Sequence, residues 1–113
     1  MRQTRAISWL KAARKEFEKF PAQAQATMLA ALTIAAEGGK ADIAKPFKGA
    51  MAARSRSPSR HRGDAYRTIY AVQLGLDLIV IDAIQKKSKS GIKTPQADVD
   101  RIKERIKRLK ENL

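Results

Sequence analysis

The feature that most restricts the fold of this chain is an apolar run in its second half, Leu76–Ile84 (LDLIVIDAI). Residues Leu78–Ile81 are apolar in both alternating registers, which predicts a strand that is covered on both faces. The preceding segment, Ala65–Leu74 (AYRTIYAVQL), is rich in β-branched and aromatic residues, and Gly75 separates the two. We therefore predict two antiparallel strands joined by a tight turn, with a covering layer on each face.

The first half of the chain predicts a helical hairpin, which is the expected cover of one face. An amphipathic helix runs to Phe20, and Ile7–Leu10 before it is a candidate strand. Pro21 suits the first turn of a second, alanine-rich helix, because its missing N–H would have no partner there. Gly38-Gly39 ends that helix.

The other face has two candidate covers, a closing helix and a partner chain. Thr94-Pro95 has the residue types of a helix N-cap and first helical position. An apolar stripe follows at helical spacing: Val99, Ile102, Ile106 and Leu109. The polar side of this predicted helix is mostly lysine and arginine, which favours a surface that faces solvent or phosphate.

The middle of the chain lacks any such pattern. No periodicity is visible from Lys40 to Gly63, and Ala52–Arg62 is rich in arginine and serine with no apolar face to bury. We predict that this piece is mobile and contains no strand.

The charge of the chain points to a polyanionic partner. There are 24 lysine and arginine residues against 11 aspartate and glutamate, a formal net charge of +13. Nucleic acid is the obvious candidate, because each neutralised phosphate releases condensed counterions. An acidic protein is the other candidate, because it would also be attracted to this positive charge.

Composition also excludes several kinds of site. The chain has no cysteine and one histidine, so we expect no disulfide, no metal site and no cofactor. It has no apolar run of the roughly 20 residues that a membrane span needs, so we expect a soluble cytoplasmic protein. Its 113 residues predict a single domain covering 1–113.

Several short segments resemble the phage-derived branch of the RelE/HigB toxins of type II toxin–antitoxin systems. In chain order they are Phe20-Pro21, Lys45-Pro46-Phe47-Lys48-Gly49, Gly63-Asp64-Ala65-Tyr66-Arg67-Thr68-Ile69-Tyr70, Gln85-Lys86-Lys87-Ser88-Lys89 and Lys93-Thr94-Pro95. Their order and spacing make the resemblance fairly specific. It implies an α+β, microbial-ribonuclease-like fold: a small twisted antiparallel sheet, the helical hairpin on one face and a C-terminal helix.

The resemblance also implies a function. Toxins of this type are endoribonucleases that cut messenger RNA on the ribosome, and a cognate antitoxin neutralises them. The antitoxin of this branch carries a helix-turn-helix domain, so operator DNA is contacted only through it. Two alternatives stay open: a ParE-like toxin that poisons DNA gyrase by docking, and a noncatalytic, degenerate RNA- or DNA-binding protein.

RNA cleavage through the 2′-hydroxyl requires removal of its proton, stabilisation of a phosphorane and protonation of the leaving 5′-oxygen. This chain lacks the paired histidine or histidine–glutamate groups of a free ribonuclease and offers basic side chains instead. Lysine and arginine stabilise a phosphorane well, but they are poor bases unless a pKa falls. This lack of an effective general base suits an enzyme whose substrate is oriented by the ribosome.

The resemblance assigns candidate roles to particular residues. Arg67 matches the arginine of the family's strand motif and would hold the scissile phosphate. Lys86 and Lys87 match the basic pair at the end of the next strand, where one would contact the phosphate or protonate the leaving group. Tyr66 is a candidate for base stacking, whereas Tyr70 is expected in the core. The remaining candidate RNA contacts are Lys48, Arg60, His61, Arg62, Lys89 and Lys93.

One segment departs from the family pattern. Family members have an aliphatic strand where this chain has Ala50–Arg62, which offers no alternating apolar face and contains Pro58. One hypothesis is a local reading-frame change that impairs folding and activity. The other is a genuine insertion that orders on RNA or on the antitoxin and adds affinity for RNA.

Overall fold

The fold is a five-stranded sheet with helices on both faces, as seen in a computed structural model that describes residues 5–56, 64–72, 77–86 and 96–111. In chain order the elements are β1 (Ile7–Trp9), α1 (Lys11–Phe17), α2 (Ala22–Ala36), β2 (Ala44–Phe47), β3 (Ala50–Arg56), β4 (Ala65–Ala71), β5 (Leu78–Lys86) and α3 (Gln96–Glu111). The strand order is β1-β5-β4-β3-β2. All neighbours are antiparallel except β1 and β5, which are parallel. The predicted α+β class is confirmed.

Both faces of β5 are covered, as its sequence predicts. On one face, Leu78 and Val80 pack in a cluster with Met28 and Leu32 of α2. On the other face, a second cluster joins residues of the sheet to α3, and its members include Ile69, Ile81, Ile84, Ile102 and Ile106. The helical hairpin and the closing helix are therefore the two covers, and the predicted stripe of α3 is its buried side.

A β-bulge in β5 turns two consecutive side chains toward α3. Asp82 faces Ile69 of β4, but Val80 faces Tyr70, so Ile81 is an extra residue in the strand. Ile81 packs in the cluster beneath α3, and the neighbouring Asp82 accepts a hydrogen bond from Arg101 Nε at 2.8 Å. The bulge thus places an apolar and a charged contact to α3 side by side.

Asp82 holds α3 to the sheet through a buried ion network. Its side chain is 2 % exposed and pairs with Arg101 at 2.8 Å and with Arg105 at 3.3 Å. Arg105 Nη1 also donates to the carbonyl of Ile81 at 2.9 Å, and Asp82 Oδ1 accepts from the backbone N–H of Ala83. A buried carboxylate costs free energy unless such partners satisfy it, and here they all belong to α3 or to β5 itself.

The prediction that the middle of the chain contains no strand is wrong. Residues 50–56 form β3, which pairs with β2 on one side and with β4 on the other. Ala53 is fully buried and Ala52 nearly so. Alanine gives a strand no large apolar pattern to recognise, but it lets α2, itself rich in alanine, contact the sheet. Residues 50–56 are ordered within the sheet of this chain, which contradicts, for these residues, the hypothesis of an insertion that orders on RNA or on the antitoxin. Residues 57–63 lie outside the described ranges.

A two-residue turn joins β2 to β3. Lys48 has φ 48° and Gly49 has φ 87°, and Phe47 pairs with Ala50 across the turn. Positive φ at both central residues is the type I′ pattern, whose twist suits a tight hairpin.

Among the residues that the structure describes, no helix has the length and apolarity needed to cross a membrane.

A proline at Ala53 tests whether this segment is a paired strand. Ala53→Pro removes one backbone donor from a strand that is bonded on both sides, and we expect the free energy of unfolding to fall by about 3 kcal/mol. The matched control is Lys11→Pro at the first position of α1, where Leu10 already has φ −67° and ψ 137°. That change should stay within about 0.5 kcal/mol. Urea denaturation measures both, and equal effects would contradict the strand.

Neutralising Asp82 tests the ion network. Asp82→Asn keeps the shape but removes the charge that two arginines share, so we expect a loss of about 2 kcal/mol in the free energy of unfolding. Glu104→Gln is the control, because Glu104 pairs with Arg108 on the exposed surface of α3 at 3.2 Å. Its effect should be under about 0.5 kcal/mol. If Asp82→Asn lowered the free energy of unfolding no more than Glu104→Gln does, packing alone would hold α3 to the sheet.

Candidate active site

Three cations from neighbouring strands lie together on the face that α3 covers. Arg54 of β3 pairs directly with Arg67 of β4. Lys86 of β5 faces Ala65, two residues from Arg67, so it occupies a diagonal position on the same face. We call Arg54, Arg67 and Lys86 the cationic cluster. The structure therefore brings together two of the predicted catalytic residues, Arg67 and Lys86.

Two members of the cluster are nearly inaccessible. Arg67 is 4 % exposed and Lys86 is 6 % exposed, whereas Arg54 is exposed. Burial lowers the pKa of Lys86 below its ordinary value, and the positive charges of Arg67 and Arg54 lower it further. Burial and Arg54 likewise lower the pKa of Arg67. Desolvation and mutual repulsion act in the same direction here, because both disfavour the protonated forms.

Asp98 supplies the opposing charge. It lies in the first turn of α3 and pairs with Arg101 Nη1 at 2.9 Å. Its negative charge raises the pKa of both Lys86 and Arg67, although burial and repulsion prevail for each. Since Arg101 also pairs with Asp82, the carboxylate beside the cluster is linked to the network that holds α3.

Sequence reasoning missed Arg54 and Asp98. Arg54 was overlooked because its segment was predicted as a loop, so its partner across the sheet could not be inferred. Asp98 did leave a signal, since it stands three residues before Arg101 on one side of a predicted helix. That spacing predicts the ion pair between Asp98 and Arg101 within α3. It does not predict that Asp98 lies near Arg67 and Lys86 of the sheet.

The cluster suits chemistry on a phosphate. Arginine presents a planar set of donors that matches phosphate oxygens, and grouped cations stabilise the charge of a phosphorane. Lys86 adds a titratable group whose lowered pKa makes its ammonium a better proton donor than an ordinary lysine. The arrangement can therefore both hold a phosphate and transfer a proton.

Two other predicted contacts do not join the cluster. Lys48 lies in the turn between β2 and β3, at the opposite end of β3 from Arg54. Tyr66 is 3 % exposed, and its ring lies 5.0 Å from that of Phe20 in the core beneath the helical hairpin. The ring of Tyr66 therefore faces the hairpin and not the cluster, and base stacking by Tyr66 stays a prediction. Tyr70 lies in the core as predicted.

The remaining candidates fall outside the described residues. They are Lys87, Arg60, His61, Arg62, Lys89 and Lys93. Within the described ranges, no group of histidine, aspartate and glutamate is placed to hold a metal ion.

A cleft of about 840 Å³ opens beside the cluster, between α1, β5 and α3. Asp82, Ala83, Ile84 and Gln85 line its floor, and Asp98, Arg101 and Arg105 line its α3 side. Arg67 and Lys86 are not among the lining residues. The cleft and the cationic cluster therefore share Asp98 as a neighbour but are separate features.

Comparison with protein-family models identifies a family for this chain. Residues 15–107 match the family described as phage derived protein Gp49-like (DUF891). The matched range begins in α1 and ends in α3, so it includes all the strands of the cluster. A comparison with curated proteins finds no match.

Two single changes should move the pKa of Lys86 in opposite directions. Arg54→Gln removes a positive charge and should raise it, whereas Asp98→Asn removes a negative charge and should lower it. The pKa is read from the Nζ resonance of Lys86 during an NMR titration, with Lys86→Met for assignment. Shifts of the same sign, or none in either variant, would contradict the placement of both charges.

Proposed function

The chain belongs to the phage-derived Gp49-like family, and we propose that it acts as an endoribonuclease that cuts messenger RNA on the ribosome. This family lies within the RelE/ParE-like toxin superfamily of toxin–antitoxin systems, and its members are toxins with an antitoxin partner. The ribonuclease activity goes beyond family membership and is our proposal. The observation that carries it is the placement of Arg67 and Lys86 on one face of adjacent strands.

The proposed reaction uses the 2′-hydroxyl of the RNA as the nucleophile. Its oxygen attacks the neighbouring phosphorus and loses its proton to solvent, which forms a phosphorane. Arg67 donates hydrogen bonds to the non-bridging oxygens and stabilises their charge. The bond from phosphorus to the 5′-oxygen then breaks, and the leaving oxygen takes a proton from Lys86. The products are a 2′,3′-cyclic phosphate and a 5′-hydroxyl.

The electrostatics of the cluster support the role of Lys86. Burial and two arginines lower its pKa, so its ammonium gives up a proton more readily than that of an exposed lysine. When the phosphate binds, its negative charge favours the ammonium again, which sets the acid in place before the 5′-oxygen leaves. Lys86 would therefore both bind the phosphate of the uncleaved RNA and donate the proton to the leaving 5′-oxygen.

The burial of Arg67 and Lys86 supports dependence on the ribosome. Arg67 and Lys86 are only 4 % and 6 % exposed, so a phosphate can reach them only when they are uncovered. We infer that binding to the ribosome supplies this opening and orients the 2′-hydroxyl in line. Lys87 and the arginines of 60–62 would add phosphate contacts.

The proposed partners follow from charge and family. A net charge of +13 favours ribosomal and messenger RNA as polyanionic partners. We propose an antitoxin that carries a helix-turn-helix domain and contacts operator DNA on behalf of the complex. Action on the ribosome places the protein in the cytoplasm.

Cleavage should depend on Arg67 and Lys86. Wild type, Arg67→Ala and Lys86→Ala are expressed in turn, while growth and the 5′ ends of messenger RNA are followed. Each change should lower the frequency of new ends in translated regions by about 100-fold or more. Lys19→Ala is the matched control, because Lys19 pairs with Glu16 on the exposed surface beside α1 and should leave cleavage unchanged.

The alternatives give different results. Growth arrest without new ends would overturn the ribonuclease proposal and favour a protein target such as gyrase. Neither arrest nor new ends, with a correctly folded protein, would favour a noncatalytic nucleic-acid-binding protein.

A further inference from the structure

Each of four neighbouring strands places a basic side chain on the face that α3 covers. Arg54, Arg67 and Lys86 form the cationic cluster on β3, β4 and β5. The fourth is Lys45 of β2, which pairs with Ala52. Ala52 packs in the cluster beneath α3, and side chains of paired residues lie on the same face. Lys45 therefore extends the line of cations to the β2 edge of the sheet.

These cations are spread across four neighbouring strands. Adjacent strands lie about 4.8 Å apart, so the midpoint between Lys45 and Arg54 lies about two strand spacings, roughly 10 Å, from that between Arg67 and Lys86. The strand positions of the two pairs are therefore far enough apart for each pair to contact a different phosphate.

The second pair also borders a pocket. A cavity of about 280 Å³ is lined by Lys45, Arg54, Ser55, Asp42, Ile43 and Ala65. Ala65 is the residue that faces Lys86 across the sheet, so the pocket adjoins the cationic cluster. Lys45 and Arg54 are both exposed, in contrast to the buried Arg67 and Lys86. Asp42 contributes the one carboxylate of the lining, which leaves two positive charges to one negative charge.

We propose that Lys45 and Arg54 bind a second phosphodiester of the RNA, adjacent to the one that Arg67 and Lys86 hold. The inference rests on the proposed function, since it takes the RNA backbone to cross the strands from β5 toward β2. Lys45 and Arg54 would thus form a binding subsite for a phosphodiester that is not itself cleaved. Because this subsite is accessible in the free protein, it can hold the RNA before Arg67 and Lys86 are uncovered.

The test pairs single side chains with single phosphates. The probe is a short single-stranded RNA with a 2′-deoxy nucleotide at its central position, in a series where one linkage at a time is a neutral methylphosphonate. Binding to wild type, Lys45→Gln, Arg54→Gln and Arg67→Ala is measured by fluorescence anisotropy at low salt. Lys19→Gln is the matched control, and thermal unfolding verifies that each variant is folded.

We expect one linkage whose neutralisation weakens wild-type binding by about tenfold, the factor for one hydrogen bond to a charged group. That loss should largely disappear in Lys45→Gln and in Arg54→Gln. It should persist in Lys19→Gln, and also in Arg67→Ala, because Arg67 is buried in the free protein. Lys45→Gln and Arg54→Gln should each also reduce the salt dependence of binding.

Other results would overturn the inference. Coupling of Lys45 and Arg54 to no linkage, while Arg67→Ala still abolishes cleavage on ribosomes, would remove the subsite and leave the proposed ribonuclease intact. Coupling of Lys45 and Arg54 to two different linkages would exclude a shared phosphodiester. Coupling of both to one linkage, in a protein that cuts no RNA on ribosomes, would keep the subsite and remove the enzyme. No measurable binding of the RNA would overturn the subsite directly.

Discussion

The two ion pairs of Asp82 are the interaction on which the rest of the structure depends. The β-bulge points this buried carboxylate at α3, where Arg101 and Arg105 neutralise it. Once α3 is fixed, its apolar stripe covers one face of the sheet and its first turn carries Asp98 to the cationic cluster. A single buried charge thus links the packing of α3 to the electrostatics of the candidate site.

The cluster itself works against stability. Arg67 and Lys86 are buried as cations close to Arg54, and each of these circumstances lowers their pKa values. The free energy that this costs must come from elsewhere in the fold, and the two apolar clusters supply it. Asp98 relieves part of the repulsion without cancelling it. Strained groupings of charge of this kind are typical of sites that act on an anionic substrate.

Much of the fold could be predicted from local pattern, and the exceptions have physical causes. The long apolar run of β5 and the stripe of α3 required burial, so their predicted roles are confirmed. In contrast, β3 is made largely of alanine, and its pairing depends on β2 and β4 rather than on its own sequence. Missing β3 also concealed Arg54. Arg67 and Lys86 were found through a family resemblance, whereas their burial and the approach of Asp98 needed the tertiary structure.

The parallel pairing of β1 with β5 has a consequence for how the protein is made. Ile7 pairs with Leu78, about 70 residues later in the chain, and such distant contacts form slowly. During synthesis β1 must wait until β5 has left the ribosome. Chains that stop before β5 lack Lys86 and the strand that sets it beside Arg67. Under the proposed function, prematurely terminated chains would be inactive, so a cell would be exposed only to copies that had been translated beyond β5.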